Sequence, residues 1–143
     1  MFKDIVVGAD DSQTALQAVI AGADLAQLTG AVLHIVTAYE PKSVRTSDLP
    51  AEFAPSSAAH PAHALLDGLS HIAEQRGLTP SVHGASGNPA DAIVEVAAHV
   101  DADLIVVGNE GMKGVKRVLG SVPNSVTHSS PCSVLIVDTQ AAG

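Results

Sequence analysis

The sequence predicts a single α/β domain built on a mostly parallel sheet. Two observations carry this. Short runs rich in Val, Ile and Leu alternate along the chain with stretches whose apolar residues recur at helical spacing. Apolar residues make up 46% of the 143 positions and aromatic residues only 2%, so the core must be built from Val, Ile, Leu and Ala. That composition suits a parallel sheet covered by helices. The length fits about one domain with a sizeable core.

Ile5-Val6-Val7 is a first strand ending at Gly8, buried on both faces. Asp10-Asp11-Ser12 then supplies helix N-cap chemistry. Ala15, Leu16, Val19, Ile20, Ala23 and Ala26 form the apolar stripe of a first helix that Gly30 stops. Val32-Leu33-His34-Ile35-Val36 reads as the second strand. Residues 39 to about 57 contain Pro41, Pro50 and Pro55 with several serines, and read as an exposed, mobile loop or lid. A second helix is expected from about residue 57 to 75, with Pro61 in its first turn and Gly77 as its stop. Residues 80–85 form a short, weak strand. Asn88-Pro89 opens a third helix with Ala92, Ile93, Val96, Ala97 and Val100 on one face. Leu104-Ile105-Val106-Val107 is the fourth strand, a short helix follows from Ser121, and Ser133-Val134-Leu135-Ile136-Val137 is the fifth strand.

The most informative stretch joins the fourth strand to the last helix. Gly108-Asn109-Glu110-Gly111 is followed by eight residues and then Gly120-Ser121. Glycines at the carboxyl end of a strand let backbone approach a ligand closely. Gly-Ser at a helix start offers N–H groups, a hydroxyl and the positive end of the helix dipole. Three of the seven Lys and Arg residues, Lys113, Lys116 and Arg117, fall within this stretch of a chain whose net charge is −8. Together these features describe a seat for a phosphate chain. Pro123 removes one N–H from the helix start, while Val122 and Asn124 keep theirs. Asp10, just past the first strand, can accept hydrogen bonds from ribose hydroxyls, or Asp10 or Asp11 can cap the first helix.

Other chemistries find less support. The chain has no G-x-G-x-x-G turn and no G-x-x-x-x-G-K-[ST] loop, which speaks against a dinucleotide site and a P-loop. His60 and His63 lack a third ligand nearby in sequence, and His34 inside a strand reads as a satisfied core residue. Cys132 is the only cysteine, so it forms no internal disulfide, fits a reducing compartment and reads as an inert buried thiol. No G-x-S-x-G elbow places a nucleophile. The acidic balance disfavours nucleic acid and anionic membranes as partners. No signal peptide and no apolar run long enough for a membrane span is seen, so a soluble cytoplasmic domain is expected.

These residues resemble the universal stress protein family in its small, single-domain, ATP-binding form, over essentially the whole of residues 1–143. The resemblance rests on Ile5-Val-Val-Gly-Ala-Asp10-Asp-Ser12, on Gly87-Asn-Pro-Ala-Asp-Ala-Ile93, and above all on Val106-Val-Gly-Asn-Glu-Gly-Met112 leading to Gly120-Ser-Val-Pro-Asn-Ser-Val126. It implies a Rossmann-like open sheet of order 3-2-1-4-5 with helices on both faces. It also implies a bound adenine nucleotide: adenine against backbone of the second strand at Ile35, ribose at Asp10 and Gly108, phosphates at Gly111, Gly120, Ser121 and the N–H of Val122. Ala9 and Val107 would line the pocket. ATP is the implied ligand, with any Mg²⁺ held mainly by the phosphates. A homodimer through Val134, Leu135, Ile136 and Val137 is implied as well, since an apolar edge strand needs a cover. Two departures from the family pattern stand out: the span between the second and third glycines is eight residues where nine are usual, and Asp11 replaces a usual glycine. The function expected is that of a nucleotide-dependent sensor or adaptor in the stress response. No residue stands out as positioning an attacking water, so at most slow ATP hydrolysis is expected. The alternatives are a cyclic AMP-binding module and a dimeric interaction protein that binds no nucleotide. The intact Gly108, Gly111, Gly120 and Ser121 argue against the latter.

Overall fold

The computed structural model describes residues 1–9, 13–39, 61–109 and 120–138. Strands and helices alternate as β1 (Asp4–Ala9), α1 (Gln13–Thr29), β2 (Val32–Tyr39), α2 (Pro61–Glu74), β3 (Ser81–Ser86), α3 (Pro89–His99), β4 (Leu104–Gly108), α4 (Ser121–Ser129) and β5 (Ser133–Val137). All pairings between strands are parallel, and the sheet order is β3-β2-β1-β4-β5. The fold class expected from sequence is therefore the one observed. Asp10, Asp11 and Ser12, and the stretch from 40 to 60 that holds nearly all of the expected loop, lie outside the described residues. Tyr39, expected at the start of that loop, closes β2 instead.

Register decides which side chains share a core. Val6 lies beside His34 and Ile105, while Val7 lies beside Ile35 and Val106. Successive residues of a strand face opposite sides. Ile5, Val7, Leu33, Ile35, Leu104 and Val106 accordingly pack under α1 and α2. Val6, Val36, Ile105 and Val107 pack under α3 and α4. β1 and β4 are central and buried on both faces, which explains why they read as continuous apolar runs. The edge strands β3 and β5 are more open, and Leu135 of β5 is 38% exposed.

Local chemistry sets the helix ends. Gly30 and Gly77 adopt φ of +75° and +77°, the left-handed conformation that terminates a helix without a Cβ penalty. Their following residues return N–H groups to the last turn, Ala31 to the Ala26 carbonyl and Leu78 to the Ala73 carbonyl. Asn88 caps α3 by accepting from the Asp91 N–H at 3.2 Å, with Pro89 in the first turn. His34 is a satisfied core residue: its Nε2–H donates to Asp4 Oδ1 at 3.0 Å, and His83 lies 3.5 Å from its other nitrogen. Burial, the neighbouring His34 and His99 all push the His83 imidazole below its usual pKa. Cys132 is half-buried rather than fully buried, and burial raises its thiol pKa.

Candidate functional site

The chain runs from β1 outward to β3 on one side, then crosses over to β4 and β5 on the other. Strand order thus reverses between β1 and β4, and the crevice outside their carboxyl ends is where open α/β sheets receive ligands. An open cleft occupies this position. Gly8 and Ala9 from β1, Val107 and Gly108 from β4, and Val36 and Ala38 from β2 form its floor. Ala15 of α1, Pro89 and Ile93 of α3, and Val122 and Pro123 of α4 wall it. Every described lining residue is apolar or glycine, so the floor suits a flat, weakly polar ring.

Gly8 shapes this floor. A Cβ at Gly8 would collide with Ile93 Cδ1, approach Ile93 Cγ1 to 2.9 Å and touch Val107 Cγ1 at 3.4 Å. Glycine is what allows α3 to settle against β1 at the cleft.

The polar side of the cleft comes from α4. Gly120 is its N-cap, extended at φ −64° and ψ 167°, and as a glycine it supplies no side-chain cap. The Asn124 N–H donates to the Gly120 carbonyl at 3.1 Å. It is therefore used within the helix. Pro123 has no N–H. The Ser121 and Val122 amides remain in the first turn, where a helix has no acceptors of its own. They sit beside the cleft that Val122 lines. An anion there would meet two N–H groups and the positive helix end.

The structure brings together Ala9, Val107, Gly108 and Val122 around the cleft, with Gly120 and Ser121 in the adjoining turn. Asp10 and Gly111 lie outside the described residues, as do Lys113, Lys116 and Arg117. The Ile35 side chain does not line the cleft, where the expectation was of contact through backbone. It is fully buried under α1 and α2, on the sheet face away from α3. Val36 and Ala38 are the β2 residues that reach the cleft. The reason is strand alternation: Gly8 pairs with Val36, which fixes Val36 rather than Ile35 on the α3 side. Gly8, Pro89, Ile93 and Pro123 are cleft residues that sequence reasoning did not single out. Among the described residues no group of three or more His, Cys, Asp or Glu could hold a metal ion. His60 and the side chain of His63 lie outside the described set.

Behind the cleft, Asn109 follows Gly108 and is 1% exposed. Its N–H donates to the Val137 carbonyl at 3.0 Å, and its side-chain amide donates to Asp138 Oδ1 at 3.0 Å.

Fold and site together define an open parallel α/β domain with a ligand cleft at its switch point. The chain belongs to the universal stress protein family, whose sequence model matches residues 1–138. Universal stress protein Rv1636 of Mycobacterium tuberculosis is 36% identical over 152 aligned positions, which span 96% of this chain and 97% of that protein. A crystal structure of a universal stress protein in complex with cAMP is also 36% identical, with a TM-score of 0.76 over 96% of this chain and 98% of that one. A universal stress protein from Archaeoglobus fulgidus in complex with dAMP shares the fold at 20% identity, with a TM-score of 0.66 over 96% of this chain and 98% of that one. No described helix is long and apolar enough to cross a membrane.

Proposed function

We propose that this chain binds an adenine nucleotide in the cleft between β1 and β4, with ATP as the ligand, and acts as a nucleotide-dependent sensor or adaptor in the stress response. The observation that carries this reading is the junction of an apolar floor with the first turn of α4. The floor accepts the base. The Ser121 and Val122 amides meet a phosphate. Gly108 leaves room for the ribose, with Asp10 and Gly111 completing the site in the adjoining stretches. Lys113, Lys116 and Arg117, in the stretch between Gly111 and Gly120, favour a highly charged phosphate chain.

The relative at 36% identity in complex with cAMP favours a second reading, in which cyclic AMP is the ligand of the same cleft. The two differ in the charge that the glycine stretch must neutralise.

Residues 1–143 work in this reading as one domain in the cytoplasm, where a single free cysteine is at ease. Mg²⁺ accompanies ATP on the phosphates. Hydrolysis is at most slow. Two copies pair through Val134, Leu135, Ile136 and Val137 of β5, which covers the half-exposed edge. The acidic net charge of −8 speaks against nucleic acid and anionic membranes as partners.

The test is to heat-denature freshly purified protein, chromatograph the released nucleotide, and titrate nucleotide-free protein with ATP·Mg²⁺ and with cyclic AMP. ATP or ADP near one per chain supports the first reading, and cyclic AMP supports the second. No binding of either at millimolar concentration removes both and leaves a dimeric interaction protein.

A further inference from the structure

Asn109 is a polar side chain buried to 1% exposure at the carboxyl end of a central strand. A buried amide is retained at such a place only when its hydrogen bonds are met. Here the amide donates to the Asp138 carboxylate at 3.0 Å. A carboxylate acceptor makes a stronger hydrogen bond than a neutral one. The Asn109 backbone N–H also holds the Val137 carbonyl, one residue before Asp138. Two bonds therefore tie the exit of β4 to the exit of edge strand β5. On the other side of Asn109 stands Gly108, part of the cleft floor, which lies opposite Val137 in the sheet.

We propose that Asn109 is a positioning residue for the nucleotide cleft, held by Asp138, so that the end of β5 sets the placement of Gly108. This rests on the adenine-nucleotide reading of the cleft. Neither side chain lines the cleft in this structure. Their effect on ligand is exerted through the backbone they anchor. A consequence is that the state of the β5 edge is felt at the cleft through the Asn109–Asp138 hydrogen bond.

Charge reversal across the pair distinguishes positioning from bulk stability. Asn109→Asp places two carboxylates where one donor–acceptor bond stood, and like charges so close cannot both ionise comfortably. Adding Asp138→Asn to it restores one donor and one acceptor with the polarity exchanged. Asp138→Ala removes this acceptor at an exposed position, and Tm records what the change costs the fold.

The experiment is calorimetric titration of each full-length variant with ATP·Mg²⁺ and with cyclic AMP at pH 8 and pH 5.5, with Tm recorded alongside. Asp138→Ala and Asn109→Asp are expected to bind about tenfold or more weakly at pH 8. Asn109→Asp recovers part of its affinity at pH 5.5, as one carboxyl takes up a proton and becomes a donor. The double exchange returns to within a few-fold of wild type. Wild-type affinity in Asp138→Ala and Asn109→Asp, or no restoration by the exchange, overturns the positioning role while leaving the cleft reading intact. Wild-type protein that binds neither nucleotide overturns the cleft reading, and this inference with it.

Discussion

Gly8→Ala tests how tightly the floor of the cleft is built. The new methyl would meet Ile93 Cδ1 inside contact distance, Ile93 Cγ1 at 2.9 Å and Val107 Cγ1 at 3.4 Å. Ile93 is buried at 4% exposure and cannot swing into solvent, so α3 or β1 must shift. Overpacking of this kind costs about 1–3 kcal/mol. Against it stands a gain of about 0.4–1 kcal/mol, because alanine restricts the unfolded chain where the native backbone tolerates it. The net expectation is a loss of about 1–2 kcal/mol. For a domain of this size that corresponds to a Tm lower by about 3–8 °C. Ile93→Val removes the atom in the worst contact and alone costs about 0.5–1.5 kcal/mol. In combination the two changes should destabilise by less than their sum, with a coupling of about 1 kcal/mol. Urea denaturation of wild type, both single variants and the double variant measures that coupling directly. Additivity within about 0.3–0.5 kcal/mol would refute the claim that Gly8 and Ile93 compete for one space. Gly8→Ala should also weaken nucleotide binding, since the same methyl narrows the cleft, and Ile93→Val should restore part of it.

Four further outcomes are expected. Gly111→Val together with Gly120→Val should abolish nucleotide binding while size-exclusion chromatography shows an unchanged oligomeric state; surviving affinity would mean the phosphates sit elsewhere. Ile105→Ala, at a site of 0% exposure under α3 and α4, should cost about 2–5 kcal/mol in denaturant unfolding. His83 is pushed below its usual pKa in the folded protein by burial and by His34 and His99. The unfolded chain therefore binds its proton more readily, and the stability that neutral His83 supplies is complete above about pH 6.5 and lost as pH falls below it. His83→Gln should flatten that part of a stability–pH profile; an unchanged slope would assign it to other groups. The Cys132 thiol, raised by burial, should alkylate more slowly than a free thiol at pH 7 and reach full rate on unfolding.

Much of the fold was legible because its central strands are buried on both faces. Leu104, Ile105, Val106 and Val107 have exposures of 4% or less, and a run of four such residues before a glycine carries a clear signal. Asn88-Pro89, Gly30 and Gly77 marked helix ends by their backbone chemistry, which is local and therefore readable. Facing was not local. The five-residue run from Val32 to Val36 has no alternation, so nothing in it says that Val36 rather than Ile35 reaches the α3 side. That phase comes from pairing with β1, where Gly8 meets Val36. The close approach of Gly8 to Ile93 and the Asn109–Asp138 bond are likewise products of topology, joining residues 85 and 29 positions apart.

The most direct measurement is an amide-resolved NMR titration of nucleotide-free protein with ATP·Mg²⁺, repeated with cyclic AMP. Binding in the cleft should move Gly8, Ala9, Gly108, Ser121 and Val122 first and saturably, while residues at the opposite end of the sheet, such as Lys3 and Asp103, stay in place. Saturable shifts confined to that opposite end, or none anywhere at millimolar nucleotide, would contradict the assignment of the cleft.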